Sequence, residues 1–430
     1  MLKRIMAAET DAIQKRLMDR AQADFSEQQT VVDKILQKVR TEGDEALFDY
    51  VRKLDGFDIT RQNMLVSKQE IEDAYAAVDR GLVSILREAA DNIRAFHSRQ
   101  KRENWFIEKD GKMLGQLYLP IENACVYVPG GKAAYPSSVL MNIIPAKCAG
   151  VENIFVATPA MNGTVNPVTI VAADISGADK IFKLGGAHAV AAFAYGTESV
   201  PKADKITGPG NIYVTLAKKS VFGIVGIDMI AGPSEILVIA DDTANPAFVA
   251  ADLLSQAEHD ELAAPMLVTT SERLADAVDA ELRTQLSALE RKGIAKRSIQ
   301  TYGTCIITES IEESLAVSNR LAPEHLELCL SEPQTYVNRI KNAGSVFVGP
   351  YSPEPLGDYF AGVNHILPTN GTARFSSPLN VDDFQKKSSV LYYTKEEFEK
   401  VYGKVAGFAE SEGLTAHARS ARIRFEQDKT

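Results

Sequence analysis

The chain has 430 residues, too many for one compact core at about 150 residues per domain, and its 45% hydrophobic and 24% charged residues are those of an ordinary globular protein. Lys+Arg 47 against Asp+Glu 57 leave a net charge of −10, which repels a phosphate backbone and argues against nucleic acid as a partner. Charged residues interrupt the N-terminus before any long apolar run, and no later stretch is apolar enough to span a bilayer, so a cytoplasmic protein without a membrane partner is expected.

In chain order, the first stretch, to about Gln100, reads as helical: apolar residues recur at spacings of three and four through Val31–Leu36 and Ala46–Val51. From about Ala124 the texture changes to short apolar runs alternating with small-residue helices. Cys125–Val128, Asn153–Val156 and Lys180–Leu184 come first; Glu235–Ala240, Met266–Thr269, Cys305–Thr308 and Ser345–Val348 follow. This β-α-β rhythm predicts two α/β lobes built on parallel strands. Between Gly349 and Pro378 lies a Pro/Gly-punctuated stretch with little periodicity, and so long a loop in a compact domain is usually functional or disordered. After Lys395 the chain reads as helical and charged. The four cysteines, Cys125, Cys148, Cys305 and Cys329, form no CxxC pair, so buried reduced thiols are expected rather than a disulfide framework or a thiolate zinc site.

Gly-rich turns follow several strands, at Tyr127–Gly131, Leu184–His188 and Thr207–Asn211. Each would let a backbone approach a phosphate or ribose, and each would serve equally as a plain strand-to-helix turn, since none fits G-x-G-x-x-G. The six histidines are more informative. His259 ends a helix expected to start near Pro246, which puts Gln256 and His259 on one face at i, i+3; the alternative is a solvated helix end. Glu324-His325 follows Pro323, which pushes Ala322 out of helix, and precedes a strand from Leu326 to Leu330. A carboxylate and an imidazole at such a junction can share a cleft for proton transfer or stand on a surface turn. Asp358 and His365 lie in the long loop, and His417 lies near the C-terminus. His97 has no such company and reads as structural.

Taken together, Ala231-Gly232-Pro233-Ser234-Glu235, Gln256-Ala257-Glu258-His259-Asp260, Ala322-Pro323-Glu324-His325-Leu326-Glu327, Gly357-Asp358-Tyr359 with Asn364-His365, and Glu412 with His417 resemble the histidinol dehydrogenase family, in family order. The matching stretches run from about Tyr127 to the C-terminus. The resemblance implies one zinc ion per chain, held by Gln256, His259, Asp358 and His417, with Glu324 and His325 as the acid–base pair. Ser234, His365 and Glu412 help to hold the amino alcohol, together with the zinc ligands and His325. For NAD it implies Tyr127, His188 and Asn211, although His188 stands where relatives usually carry glutamine, and one imidazole cannot mimic both ends of an amide.

The fold so implied is α/β, with two incomplete Rossmann-like domains of aldehyde-dehydrogenase-like fold and small helical N- and C-terminal segments exchanged in a dimer. The expected divisions are 1–22 (N-terminal helical segment), 23–126 with 236–379 (catalytic domain), 127–235 (NAD-binding domain) and 380–430 (dimerisation segment). The implied reaction is zinc-dependent oxidation of L-histidinol through L-histidinal to L-histidine with two NAD, in histidine biosynthesis, by a cytoplasmic homodimer with shared active sites. A family paralogue oxidising another amino alcohol or polyol is the alternative. A thiol-dependent aldehyde dehydrogenase and a zinc hydrolase are the rivals from other classes.

Overall fold

A computed structural model describes residues 1–20, 25–130 and 135–426; Gly131 of the first Gly-rich turn and the expected boundary at 22/23 lie outside them. The chain divides into two compact units, Met1–Gln100 with Ile121–Phe384, and Lys101–Pro120 with Gln385–Thr430. Its strands are β1 (Lys3–Met6), β2 (Trp105–Lys109), β3 (Lys112–Pro120), β4 (Asn123–Tyr127), β5 (Asn153–Ala157), β6 (Lys180–Phe182) and β7 (Lys205–Thr207). There follow β8 (Gly226–Ile227), β9 (Glu235–Ala240), β10 (Ala264–Thr269), β11 (Thr304–Ile307), β12 (His325–Cys329), β13 (Ser345–Val348) and β14 (Gln385–Tyr393).

Within the larger unit lie two parallel sheets. One has the order β6-β5-β4-β7-β8 and the other β1-β11-β10-β9-β12-β13. Apart from the edge strand β1, the chain starts each sheet at a central strand, builds outward on one side, then returns to build on the other, so β4/β7 and β9/β12 are topological switch points. Every residue of β9, β10 and β12 is buried, as strands covered on both faces require. The helices Pro246–Ala257 and Ile311–Leu321 precede β10 and β12, so each runs back to the edge where the parallel strands begin.

Two features depart from expectation. The N-terminus is not wholly helical, because Lys3–Met6 pairs with Thr304–Ile307 as an edge strand. The smaller unit carries an antiparallel sheet, β14-β3-β2, with Gln385 opposite Pro120 and Trp105 opposite Gln116. A helical hairpin, Tyr402–Ser411 and Thr415–Glu426, completes that unit and buries Ala406, Ala418 and Ala421, with Phe425 against Tyr402. No helix among the described residues is long and apolar enough to cross a membrane.

Candidate active site

The helix Ile311–Leu321 ends because Pro323 cannot continue it. Ala322 takes a left-handed conformation, φ 53° and ψ 61°, with its N–H on the Ser318 carbonyl at 2.8 Å. A non-glycine residue held there stores about 1 kcal/mol or more, a cost typical of functional turns. The turn places Glu324 immediately before β12 and His325 at its first residue, beside the start of β9, where His325 pairs in register with Ile236. One residue of β9 then holds both side chains. The Glu235 N–H donates to Glu324 Oε2 at 2.8 Å, and the Glu235 carbonyl lies 3.0 Å from His325 Nδ1. A carbonyl only accepts, so Nδ1 carries the proton and Nε2 is the basic nitrogen of the neutral ring.

His325 Nε2 faces Asp358 Oδ1 at 3.6 Å, and the other Asp358 oxygen faces His365 Nδ1 at 3.7 Å. Asp358 sits in a single π-turn, Gly357–Ala361, an irregularity frequent at functional sites, which follows the short helix Glu354–Leu356. Gly357 is required there: a Cβ would stand 2.5 Å from the Phe347 ring, which stacks on His325 with centroids 6.0 Å apart. Glu354, one turn before Asp358, joins it and His325 in a group whose ligand atoms lie within 4.8 Å of one another.

The electrostatics separate the two members of the pair. Burial pushes the Glu324 carboxyl up to about 7, against the pull of His325. For His325 burial works toward the neutral ring, but the charge of Glu324 and the facing Asp358 carboxylate outweigh it and raise the imidazole to about 10. Asp358 is also buried, yet its two histidine neighbours hold it well below the usual carboxylate range. With both carboxylates facing it the ring is held protonated near neutrality, and a cation on Asp358 would lower it; a buried acid beside an imidazole tuned in this way is a constellation for proton transfer.

Gln256 ends the helix Pro246–Ala257, and His259 follows it, exposed, with its N–H on the Gln256 carbonyl at 3.2 Å. Gln256 is 1% exposed, and neither its amide oxygen nor its nitrogen has a hydrogen-bond partner among the described residues. A buried orphan amide is costly, and its oxygen is free to accept a ligand. Ser234 is half-buried, immediately before Glu235. Glu412 and His417 stand in the smaller unit, at the end of one hairpin helix and in the first turn of the next, both exposed.

The second candidate region is the β4/β7 switch point. Tyr127 closes β4, and its hydroxyl accepts the N–H of Gly186, at the start of the helix Gly186–Tyr195, at 3.0 Å. Gly208 follows β7 so closely that a Cβ would lie 2.1 Å from the Tyr127 carbonyl oxygen. Asn211 caps the next helix by accepting from the N–H groups of Tyr213 and Val214. Carboxyl ends of parallel strands, helix N-termini and a tight glycine form a cradle suited to a dinucleotide phosphate. His188 is 1% exposed, stacked on Tyr50 with its Nε2 3.5 Å from Asp55, and neither ring nitrogen has a hydrogen-bond partner among the described residues.

All four cysteines are free, and three are buried; Cys148 is the partly accessible one. Burial pushes the Cys305 thiol up to about 12 and those of Cys125 and Cys329 higher still, which is unfavourable to a thiolate nucleophile at these positions. His97 is fully buried and bonded through Nδ1 to Gln100 at 2.7 Å.

Sequence reasoning missed a buried acidic group beside the site. Glu327 shares the His325 face of β12, and Asp252 lies one helical turn before Gln256; with Cys329 their ligand atoms lie within 4.8 Å of one another. A glutamate in the otherwise apolar run Leu326–Leu330 was the available signal. Burial raises both carboxyls; Asp252 raises Glu327 further, while their hydrogen bond favours the ionised form of Asp252, so the pair retains a proton on Glu327. A raised folded-state pKa gives stability that is present in acid, below about pH 4, and is lost as pH rises through the raised value. Glu327→Gln is neutral at every pH, so its melting temperature relative to wild type is expected to climb from pH 5 to pH 8. A difference that stays flat across that window would dispose of the shared proton.

The histidinol dehydrogenase family profile matches residues 18–425. The histidinol dehydrogenase of Halalkalibacterium halodurans is 54% identical over 404 residues, covering 94% of this chain and 95% of the relative. That of Bacillus subtilis is 52% identical over 425 residues, covering 98% of each. The crystal structure of histidinol dehydrogenase from Elizabethkingia anophelis matches with a TM-score of 0.93 at 40% identity, over 100% of this chain and 99% of that one. Sequence and architecture agree over almost the whole length, and the chain belongs to the histidinol dehydrogenase family.

Proposed function

We propose that this chain oxidises L-histidinol to L-histidinal and then to L-histidine, with NAD as the oxidant and one zinc ion per chain. The observation that carries the reading is the pair Glu324 and His325, suspended from one residue of β9 and facing Asp358. With Asp358 given over to the metal, one of the two carboxylates that hold His325 protonated is withdrawn, and the neutral ring takes the alcohol proton on Nε2 as hydride leaves the carbon. Glu324 takes a proton from the water that hydrates the aldehyde, and His325 serves again when the hydrate is oxidised. Gln256, His259, Asp358 and His417 would hold zinc, and the orphan amide of Gln256 fits that role. When bound, zinc supplies a fixed positive centre that orders the substrate's nitrogens. Ser234, His365 and Glu412 would hold the rest of the amino alcohol. Tyr127, Asn211 and the helix start at Gly186 would hold the dinucleotide, which supplies the hydride acceptor. His188 is buried against Asp55, and we assign it to shaping that cradle from behind. An assay of NADH release on L-histidinol beside a panel of amino alcohols and polyols tests the substrate. Two NADH per L-histidinol is the expected result, and preferred turnover of another alcohol would identify a paralogue.

We also propose a cytoplasmic homodimer with shared active sites, in which His417 and Glu412 serve the neighbouring subunit. Support comes from their exposure on a hairpin whose own core is three alanines and a few aromatics, too small to stand alone. Unpaired cysteines suit a reducing compartment. Asp358→Asn and His417→Asn are each expected to be inactive. After dissociation and random reassortment, half the dimers are mixed and each of those has one intact site, so roughly a quarter of wild-type activity should return. Mixed dimers confirmed by affinity tag but devoid of activity would show that the hairpin serves its own chain.

A further inference from the structure

We infer that Arg20, on a helix outside the site, and Glu235 form a positioning pair that sets the geometry of the Glu324–His325 dyad and of the loop carrying His259. The inference rests on the dyad assignment above.

The helix Thr10–Arg20 buries Ile13 and Leu17 and ends on Arg20, whose side chain has no exposed surface. Its guanidinium is divided among three acceptors. Nη2 meets Glu235 Oε1 at 2.5 Å, Nη1 donates to the carbonyl of Leu262, and Nε donates to the carbonyl of Leu17 at 3.3 Å. The plane also lies over the Tyr302 ring, 5.2 Å from its centroid. Leu262 belongs to the turn after His259, closed by Asp260, which accepts the Leu262 N–H at 2.8 Å and the Ala263 N–H on its carbonyl at 3.1 Å. One cation therefore ties the His259 turn to the residue whose main chain holds both dyad side chains.

A buried ion pair is weak evidence of stabilisation, since apolar replacements of equal volume are often neutral or better. What a planar, forked guanidinium supplies is direction. It fixes the Glu235 peptide, whose N–H aims the Glu324 carboxylate and whose carbonyl keeps the proton on His325 Nδ1. Removing the fork allows that peptide to rotate, and a displacement near 1 Å at a reacting group costs about 100-fold in rate.

The test compares Arg20→Met, Arg20→Lys and the apolar pair Arg20→Met/Glu235→Leu with wild type and His325→Asn in one NADH assay. Melting temperature and zinc retention during dialysis against a chelator are read alongside. Arg20→Met is expected to lower kcat by about 10- to 100-fold with KM for the alcohol changed far less, and to release zinc faster. Arg20→Lys should recover only part of the rate, since an ammonium can still pair with Glu235 but cannot span the Leu262 and Leu17 carbonyls as the fork does. The apolar pair covers the case in which Arg20→Met fails to fold: it should melt near wild type yet stay slow. Activity within about twofold of wild type in a folded Arg20→Met or apolar-pair protein would overturn the inference, as would a loss that simply follows melting temperature. If His325→Asn keeps its rate while these variants lose theirs, the dyad assignment fails, and with it the role given to Arg20.

Discussion

Replacing His325 by asparagine is expected to slow both oxidations by about 10²–10⁴, the usual cost of losing a general base. Asparagine can still donate to the Glu235 carbonyl, so the start of β12 should keep its place while the basic Nε2 is gone. Glu324→Gln separates the two steps. Only the aldehyde must be hydrated, so oxidation of L-histidinal should fall well below that of L-histidinol in single-turnover measurements. The comparison is informative because the substituted amide retains an oxygen to accept the Glu235 N–H. Equal loss of both steps in this variant would remove Glu324 from the hydration step.

Stripping divalent metal should abolish turnover, and zinc or a comparable ion should restore it. The four proposed ligands come from the last turn of a helix, the turn beyond it, a π-turn and an exposed hairpin, and the proposal gives them a shared ion. Asp358→Asn should reproduce the loss by removing the carboxylate that His325 and His365 both face. Elemental analysis accompanies the rate measurement. A metal-free preparation with full activity would end the zinc assignment.

The parts of the fold that could be read from the chain are those whose sequence carries the mark of burial on two faces. Glu235–Ala240 and Met266–Thr269 are apolar runs because parallel strands between helix layers meet no water. The antiparallel sheet left no such mark. Every residue of β2 is exposed, β14 is exposed along most of its length, and the partner of Gln385 is Pro120, far back in the chain. The N-terminal strand is a four-residue edge with a single buried side chain, too short to show a period. Within the site, Glu324 and His325 were legible through Pro323, which marks the junction. Asp358 and His365 were legible as members of one loop, but Glu354 beside them was not, because a π-turn has no sequence period of its own. Arg20 and Asp252 belong to helices whose patterns are explained by other residues, so their reach into the site appears only once the elements are packed.

The edge at which the second sheet begins has an electrical character. The helices Pro246–Ala257 and Ile311–Leu321 both direct their C-terminal ends to it, and the aligned peptide dipoles place partial negative charge there, worth about 0.3–1 kcal/mol per helix to a nearby cation. The Asp358 carboxylate, held ionised, adds to that field. A divalent cation is therefore favoured at this edge by the packing of the helices before any side chain touches it, and its own charge offsets the field once it is bound.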